Sequence, residues 1–331
     1  MIGKNFRVEA DRILKIMDED WDYLIILDAC RYDYFKNLSE DYFSGGLEKR
    51  ISPATGTLEW CIQSFPSYYA QVIYISGNPH INSKVEVAGF EAKKHFAKIV
   101  DVWESGWDER LGTVPPRNMN KAALRSIDRF PEKRFIIHYM QPHAPYISKK
   151  FFLQGFPTPF TEGPLAGCQG YRSNGSVERL VNLLGILLLK SRVIRNTWEL
   201  RQMLRLPPAS PMDAARRKHG VRGLRQAYRE NLSITLAYAA KLCRAILEHR
   251  SSSKIVITAD HGEFLGEDGR YSHGQRNREP ILVEVPWFRV KGVKRASYTA
   301  QASEEFSLPA IDGYKEKIEG KIRELKESGK L

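Results

Sequence analysis

The chain has 331 residues, 42% hydrophobic and 27% charged, a globular balance long enough for one large α/β domain or two smaller ones and too apolar for wholesale disorder. Its formal net charge of +12 favours an anionic partner. Four scattered cysteines, Cys30, Cys61, Cys168 and Cys243, contain no C-x-x-C pair, which argues against a zinc knuckle or a disulfide framework and predicts buried thiols.

The opening stretch, MIGKNFRVEADRILKIMDED, is charged throughout and lacks the apolar core of a secretory leader, and a helix is predicted over Arg7 to Met17. β-branched runs then predict strands at Tyr23 to Asp28 (YLIILD), Gln71 to Ser76, Lys98 to Val102, Arg134 to Met140 (RFIIHYM), Lys254 to Ala259 (KIVITA) and Ile281 to Phe288. Pro286 places the last of these near a sheet edge. Helical patterns fall between them at Leu58 to Ser64, Lys121 to Arg129 and Gln226 to His249, with one more at Tyr314 to Ser328. Short strands alternating with longer helices predict an α/β fold with a mainly parallel central sheet and helices on both faces.

Residues 151–225 break this rhythm. Two Pro/Gly-rich stretches, GFPTPFTEGPLAGCQG and RLPPASPMDAARRK, bracket helical sequence there and predict an inserted cap or lid. From Lys149 to Glu230 there are 15 Lys and Arg against 5 acids, densest in RRKHGVRGLRQAYR. Such a run is ordinarily a solvated helical face; the alternative is contact with phosphates, nucleic acid or acidic lipid head groups. No nucleic-acid-binding signature accompanies it. The longest apolar run, LVNLLGILLLKSRVI from Leu180, is interrupted by Asn182 and Lys190 and falls short of the roughly 18 residues that span a bilayer. No transmembrane segment is expected, and the expected location is the cytoplasm.

In open α/β sheets ligands bind beyond the carboxyl ends of the strands, and three strand ends here carry polar residues. YLIILD ends in Asp28. RFIIHYMQPH carries His138 and turns at His143. KIVITADH ends in Asp260 and His261, with His273 one acidic, glycine-punctuated loop later. Hard carboxylate oxygen mixed with imidazole nitrogen suits Zn²⁺ or Mn²⁺ better than Ca²⁺. Asp28 alone would equally serve as the N-cap of the helix after it, and His138, in mid-strand, reads as a hydrogen-bonded core residue. Two prolines rigidify the turn that holds His143. Asp260, His261 and His273 form the strongest set, because an acid beside an imidazole at a buried strand end is costly to desolvate without a cation.

TADHGEFLGEDGRYSHG closely resembles the late metal-binding motif of the sulfatase-like branch of the alkaline phosphatase superfamily, most of all that of phosphoethanolamine transferase and lipoteichoic-acid synthase catalytic domains. QPHAPY is similar to the family's histidine turn, and LIILDACRYD stands in the place of its first strand. The resemblance runs from about Asp22 to Phe288 with residues 151–225 unmatched, and KIRELKESGKL is similar to the helix closing many such chains. It implies a single sulfatase-like catalytic domain over 1–331 with the basic cap inserted. It also implies a divalent metal on Asp28, Asp260 and His261, and His143 and His273 as contacts to substrate or to a second metal.

The family's nucleophile lies between the first acid and the second strand, at a helix start where free N–H groups stabilise an anion. SPATGTLEW fits that place. Thr57 is the candidate nucleophile and a metal ligand, Thr55 the alternative, and a plain helix cap the structural reading of Thr57. Arg31 is a candidate phosphate clamp by virtue of its planar fork. No Cys- or Ser-x-Pro-x-Arg motif is present, which disfavours formylglycine sulfatase chemistry, and the chain starts almost directly with the catalytic region, which disfavours a membrane-embedded transferase. The expectation is metal-dependent hydrolysis or transfer of an anionic phosphoester through a covalent threonine. The alternatives are a sulfuric ester hydrolase and a non-catalytic, polyanion-binding member of the fold that touches an anionic surface peripherally.

Overall fold

Five apolar stretches in the computed structural model form strands where the sequence predicts them and a sixth does so in part, and the residues described are 13–156, 197–274 and 278–294. The strands are β1 (Tyr23–Asp28), β2 (Phe43–Ile51), β3 (Tyr69–Ser76), β4 (Phe96–Asp101), β5 (Arg134–Pro142), β6 (Ile255–Thr258), β7 (Phe264–Leu265), β8 (Tyr271–Ser272) and β9 (Glu284–Val293). Seven of them make one sheet in the order β2-β9-β6-β1-β5-β3-β4, in which β9 alone runs against the rest. Every residue of β1 and β6 is buried, as expected of central parallel strands covered on both faces. The helices are α1 (Tyr32–Leu38), α2 (Thr57–Ser64), α3 (Val102–Ser105), α4 (Pro116–Arg129), α5 (Thr197–Met203), α6 (Pro211–His249) and α7 (Pro280–Val283). Trp60 and Phe65, at α2, and Leu232, Leu236, Leu242 and Ile246 of α6 join the sheet's Leu24 to Leu27 and Phe135 to Ile137 in one core.

Three expectations change. The predicted strand over Ile281 to Phe288 begins as the turn of helix α7, with Pro280 at its first position, where proline's fixed φ is already helical. Pro286 is not on the edge: β2 pairs outside β9, Lys49 opposite Pro286. The β6 ladder starts at Trp287, so Pro286 lies beyond one of the two ladders. Strand β2 was hidden because FSGGLEKRI is largely exposed and rich in glycine and charge, the composition of a protected edge. Gly45 sits at its bulge, where a Cβ would lie 2.2 Å from the Arg289 carbonyl oxygen. Residues 13–17 are not α-helical either. Ile13 bridges to Ile51 and the Leu14 N–H donates to the Ile51 carbonyl, ahead of a single 3-10 turn at Ile16–Asp18. Pairing with the edge strand buries Leu14 better than a solvated helix would.

Cys30, Cys61 and Cys243 are buried thiols. Cys168, the apolar run from Leu180 and the predicted helix Tyr314 to Ser328 lie outside the described residues, as does most of the unmatched segment. What is described of that segment leads into α6, whose first turn is capped by Ser210 Oγ accepting from the Asp213 N–H at 3.2 Å. The helix is broken at Gly220 (φ 67°, ψ −177°) and continues to His249, so residue 225 falls within one helix. Met212, Ala215 and Leu224 pack with Ala144, Tyr146, Phe151 and Leu265 in a second apolar cluster beside the strand ends. No helix among the described residues is long and apolar enough to cross a membrane.

Candidate metal centre and active site

Strand register assembles the acids. On β1, Ile26 is level with His138 of β5 on one side and Thr258 of β6 on the other. Side chains two residues apart share a face, so Asp28, His138 and Asp260 converge beyond the middle of the sheet, with ligand atoms within 4.8 Å of one another. Asp28 and Asp260 are buried. Asp28 Oδ2 accepts from Asn78 Nδ2 at 3.0 Å. Asp260 Oδ1 accepts from the Ala29 and His261 N–H groups at 3.0 and 2.9 Å. Burial, then the charge of Asp260, pushes the Asp28 carboxyl well above the usual carboxylate range. Burial works the same way on Asp260, but His261, His138, the Ala29 N–H and Thr57 outweigh it and hold Asp260 below that range.

Thr57 is the first residue of α2. The N-cap is Gly56, and the Thr57 side chain does not cap the helix. Its Oγ1 donates to Asp260 Oδ2 at 2.8 Å and lies 3.3 Å from His261 Nε2. The loop before it is tied down from three directions. Ser52 Oγ donates to the Asp260 carbonyl, Arg278 donates to the Ser52 and Pro53 carbonyls, and the Gly274 N–H donates to the Thr55 carbonyl at 2.7 Å. The last of these joins the loop of His273 to that of Thr57. Ala29 and Ser272, which follow Asp28 and precede His273, have φ of 57° and 67°, left-handed backbone that is uncommon away from glycine and gathers at functional sites. Gly262 lets the chain after His261 run against α7, since a Cβ there would lie 1.9 Å from the Ile281 carbonyl oxygen.

Hydrogen-bond partners fix the imidazoles. His261 Nδ1 faces the Gly262 carbonyl at 2.9 Å and His143 Nδ1 the Ala144 carbonyl at 2.7 Å. A carbonyl only accepts, so each Nδ1 carries a proton, and in a neutral ring the lone pair is on Nε2. His143 Nε2 lies 3.8 Å from Glu263 Oε1, and His143, Glu263 and His273 place ligand atoms within 4.8 Å of one another. The His273 ring is 5.1 Å from that of His143 and 4.3 Å from that of His261, centre to centre. Burial and the neighbouring His261, His143 and His80 hold its pKa well below the usual value.

Sequence reasoning missed Glu263 and Asn78. Its place two residues past His261 was the only sequence signal for Glu263, which the structure buries. Both its carboxylate oxygens are buried without a hydrogen-bond partner, and burial raises its pKa from 4.5 to about 7 against the pull of His143. The folded, metal-free chain therefore binds more protons than the unfolded one between those values, and stability falls as pH rises through that window. By pH 7.5 the loss is on the order of 3 kcal/mol. Glu263→Gln is expected to remove that slope, so thermal unfolding of the two metal-free proteins should diverge from pH 4.5 upward, with the variant melting higher above pH 7. Parallel curves would refute the assignment.

Arg31 comes to the end of β1, but its guanidinium does not reach outward as a clamp. It pairs with Asp33 at 2.7 Å and Glu267 at 2.7 Å and approaches the Glu263 carbonyl, and its side chain is 8% exposed. Its donors thus brace the hairpin that carries His273. The basic run is similarly occupied. Arg216 and Arg217 both pair with Asp213, and Arg225 pairs with Glu267 and donates to the Leu265 carbonyl. Lys218, Arg222 and Arg229 are the exposed ones.

No family model matches the chain, and no curated protein matches it. Among solved structures it is similar to the periplasmic domain of EptC from Escherichia coli in complex with Zn (TM-score 0.47, 11% identity, 86% of this chain and 75% of that one). It is likewise similar to a phosphonate monoester hydrolase from Silicibacter pomeroyi (0.39, 14%, 83% and 69%). The integral membrane phosphoethanolamine transferase EptA from Neisseria meningitidis is a third (0.43, 11%, 83% and 47%), and the chain spans about half of its length. Similarities at this level say nothing of activity, and the chemistry has to come from the residues.

Proposed function

We propose that the protein is a metal-dependent hydrolase or transferase of phosphate esters with Thr57 as its nucleophile. The observation that carries this reading is the Thr57 hydroxyl, set at the start of α2, bonded to Asp260 and within 3.3 Å of the lone pair of His261. Asp28, Thr57, Asp260 and His261 would hold a divalent transition metal, and the donor set fits: two buried acids side by side, a hydroxyl, and an imidazole whose Nδ1 is taken up by the Gly262 carbonyl so that Nε2 is the nitrogen left to bind. When bound, such an ion lowers the pKa of the hydroxyl and neutralises charge on the ester oxygens. The mixed oxygen and nitrogen donors favour Zn²⁺ or Mn²⁺.

Thr57 attacks phosphorus in line, forming the Oγ1–P bond as the ester P–O bond breaks and the alcohol leaves. Water or an acceptor alcohol then attacks the phosphothreonine, and Oγ1 departs. The first N–H groups of α2 face the anion, and His143 and His273 stabilise charge on the transferred group or, with Glu263, take a second ion. The test is a panel of aryl phosphate, aryl phosphodiester and aryl sulfate with protein reconstituted with zinc or manganese. Turnover of a phosphate ester that a chelator abolishes is the expected result. Turnover of the sulfate alone would make the protein a sulfuric ester hydrolase, and bound metal without turnover of any ester would leave the polyanion-binding reading.

A further inference from the structure

His138 is fully buried, and its two ring nitrogens have different surroundings. Nδ1 is 2.7 Å from the Tyr74 hydroxyl. Nε2 has no hydrogen-bond partner and lies 3.9 Å from both Asp28 Oδ2 and Asp260 Oδ2. The ring stands edge to face with Trp60, 6.0 Å away centre to centre. Three adjacent strands bring these groups together: His138 is level with Ser76 of β3, two residues beyond Tyr74, and with Ile26 of β1, two residues before Asp28.

The proton count separates this imidazole from the others. His261 and His143 face carbonyls through Nδ1 and must donate there. His138 faces a hydroxyl, which can donate or accept. Tyr74 is fully buried, its ring against Phe65 and Phe96, and among the described residues its hydroxyl has no other hydrogen-bond partner. If Nδ1–H donated to it, the hydroxyl proton would be left in an aromatic pocket without an acceptor, a cost of about 1–3 kcal/mol. The hydroxyl therefore donates to Nδ1, and a neutral His138 carries its proton on Nε2, between the two acids. An Nε2–H has no lone pair for a cation. At 3.9 Å it is not directly hydrogen-bonded to either carboxylate, and its positive edge faces both.

We propose that His138 is a positioning residue of the metal centre and not one of its ligands: Tyr74 fixes the imidazole with its proton on Nε2, which orients the two carboxylates that would hold the metal. This rests on the metal reading above. Partners that orient ligating carboxylates affect metal affinity by roughly 10- to 100-fold, so the role has a measurable size.

The test uses the full chain labelled with ¹⁵N-histidine, with His138 assigned through its contact with the Tyr74 ring, in the metal-free and zinc-loaded forms. Long-range ¹H–¹⁵N correlations are expected to show a protonated Nε2 and an unprotonated Nδ1 in both. Loss of the Nε2 proton on adding zinc would make His138 a ligand and overturn the inference alone, as would an Nδ1–H in the metal-free protein. Wild-type protein that takes up no zinc would overturn the metal reading, and the positioning role with it, whatever the tautomer. Zinc affinity supplies the second measurement. Tyr74→Phe is expected to weaken it roughly 10-fold or more with one zinc still bound at saturation, and His138→Gln, which keeps an N–H donor, to retain more affinity than His138→Leu. Equal affinities for Tyr74→Phe and wild type would overturn the role without requiring any His138 variant to fold.

Discussion

Thr57→Ala is expected to reduce turnover of the best substrate by on the order of 10⁴-fold or more, the scale on which removing a nucleophile acts, while the chain still folds. Folding should survive because the hydroxyl does not cap α2. Gly56 is the N-cap, and the substitution removes one hydrogen bond to Asp260 Oδ2, a loss of about 1–3 kcal/mol for a charged acceptor. Thr57→Ser keeps the attacking oxygen and should retain much of the rate. Thr55→Ala should cost far less, since it keeps the main-chain carbonyl that accepts from Gly274 and ties the two loops together. Trapped enzyme digested and examined by mass spectrometry should carry phosphate on the peptide containing Thr57. If Thr55→Ala is the inactive variant, the nucleophile lies two residues earlier and the reading of SPATGTLEW is wrong.

Asp260 carries the second large effect. Asp260→Ala should abolish bound metal, but it also strands the Ala29 and His261 N–H groups that Oδ1 satisfies, at roughly 1–3 kcal/mol each. Asp260→Asn is the cleaner variant, because its amide oxygen can keep both bonds while the negative charge is lost. Its zinc affinity is expected to fall at least roughly 100-fold, beyond what outer-sphere changes produce, with a melting temperature close to that of metal-free wild type. Elemental analysis after dialysis checks the metal and calorimetry the fold. Equal zinc in Asp260→Asn and wild type would remove Asp260 from the ligand set.

The parts of this fold legible in the sequence are those that both faces of the sheet bury. YLIILD, RFIIHYM and KIVIT read as strands because an unbroken apolar run has few alternatives, and DHG at the end of the last marked the site. Strand β2 was not legible, since an exposed edge strand carries the composition of a loop. Strand order was not legible either, and it decides the site: β1 lies between β5 and β6, which turns distant Asp28, His138 and Asp260 into neighbours. In sequence His138 read as a core histidine; its burial agrees with that, and only the register revealed the acids at its other nitrogen. Arg31 read as a clamp because a guanidinium near a site suits phosphate, and nothing local announced Glu267, more than two hundred residues away.

The grip on Asp260 also limits which cations suit the site. With Oδ1 held by two main-chain N–H groups, the carboxylate cannot swing to offer both oxygens, so it presents a single tooth through Oδ2. Calcium gathers six to eight oxygens and commonly takes carboxylates two teeth at a time, whereas zinc is content with four single donors in a tetrahedron. If the centre binds a metal as proposed, the backbone at Ala29 and His261 would thereby set the denticity of the aspartate and bias the centre toward small cations of low coordination number.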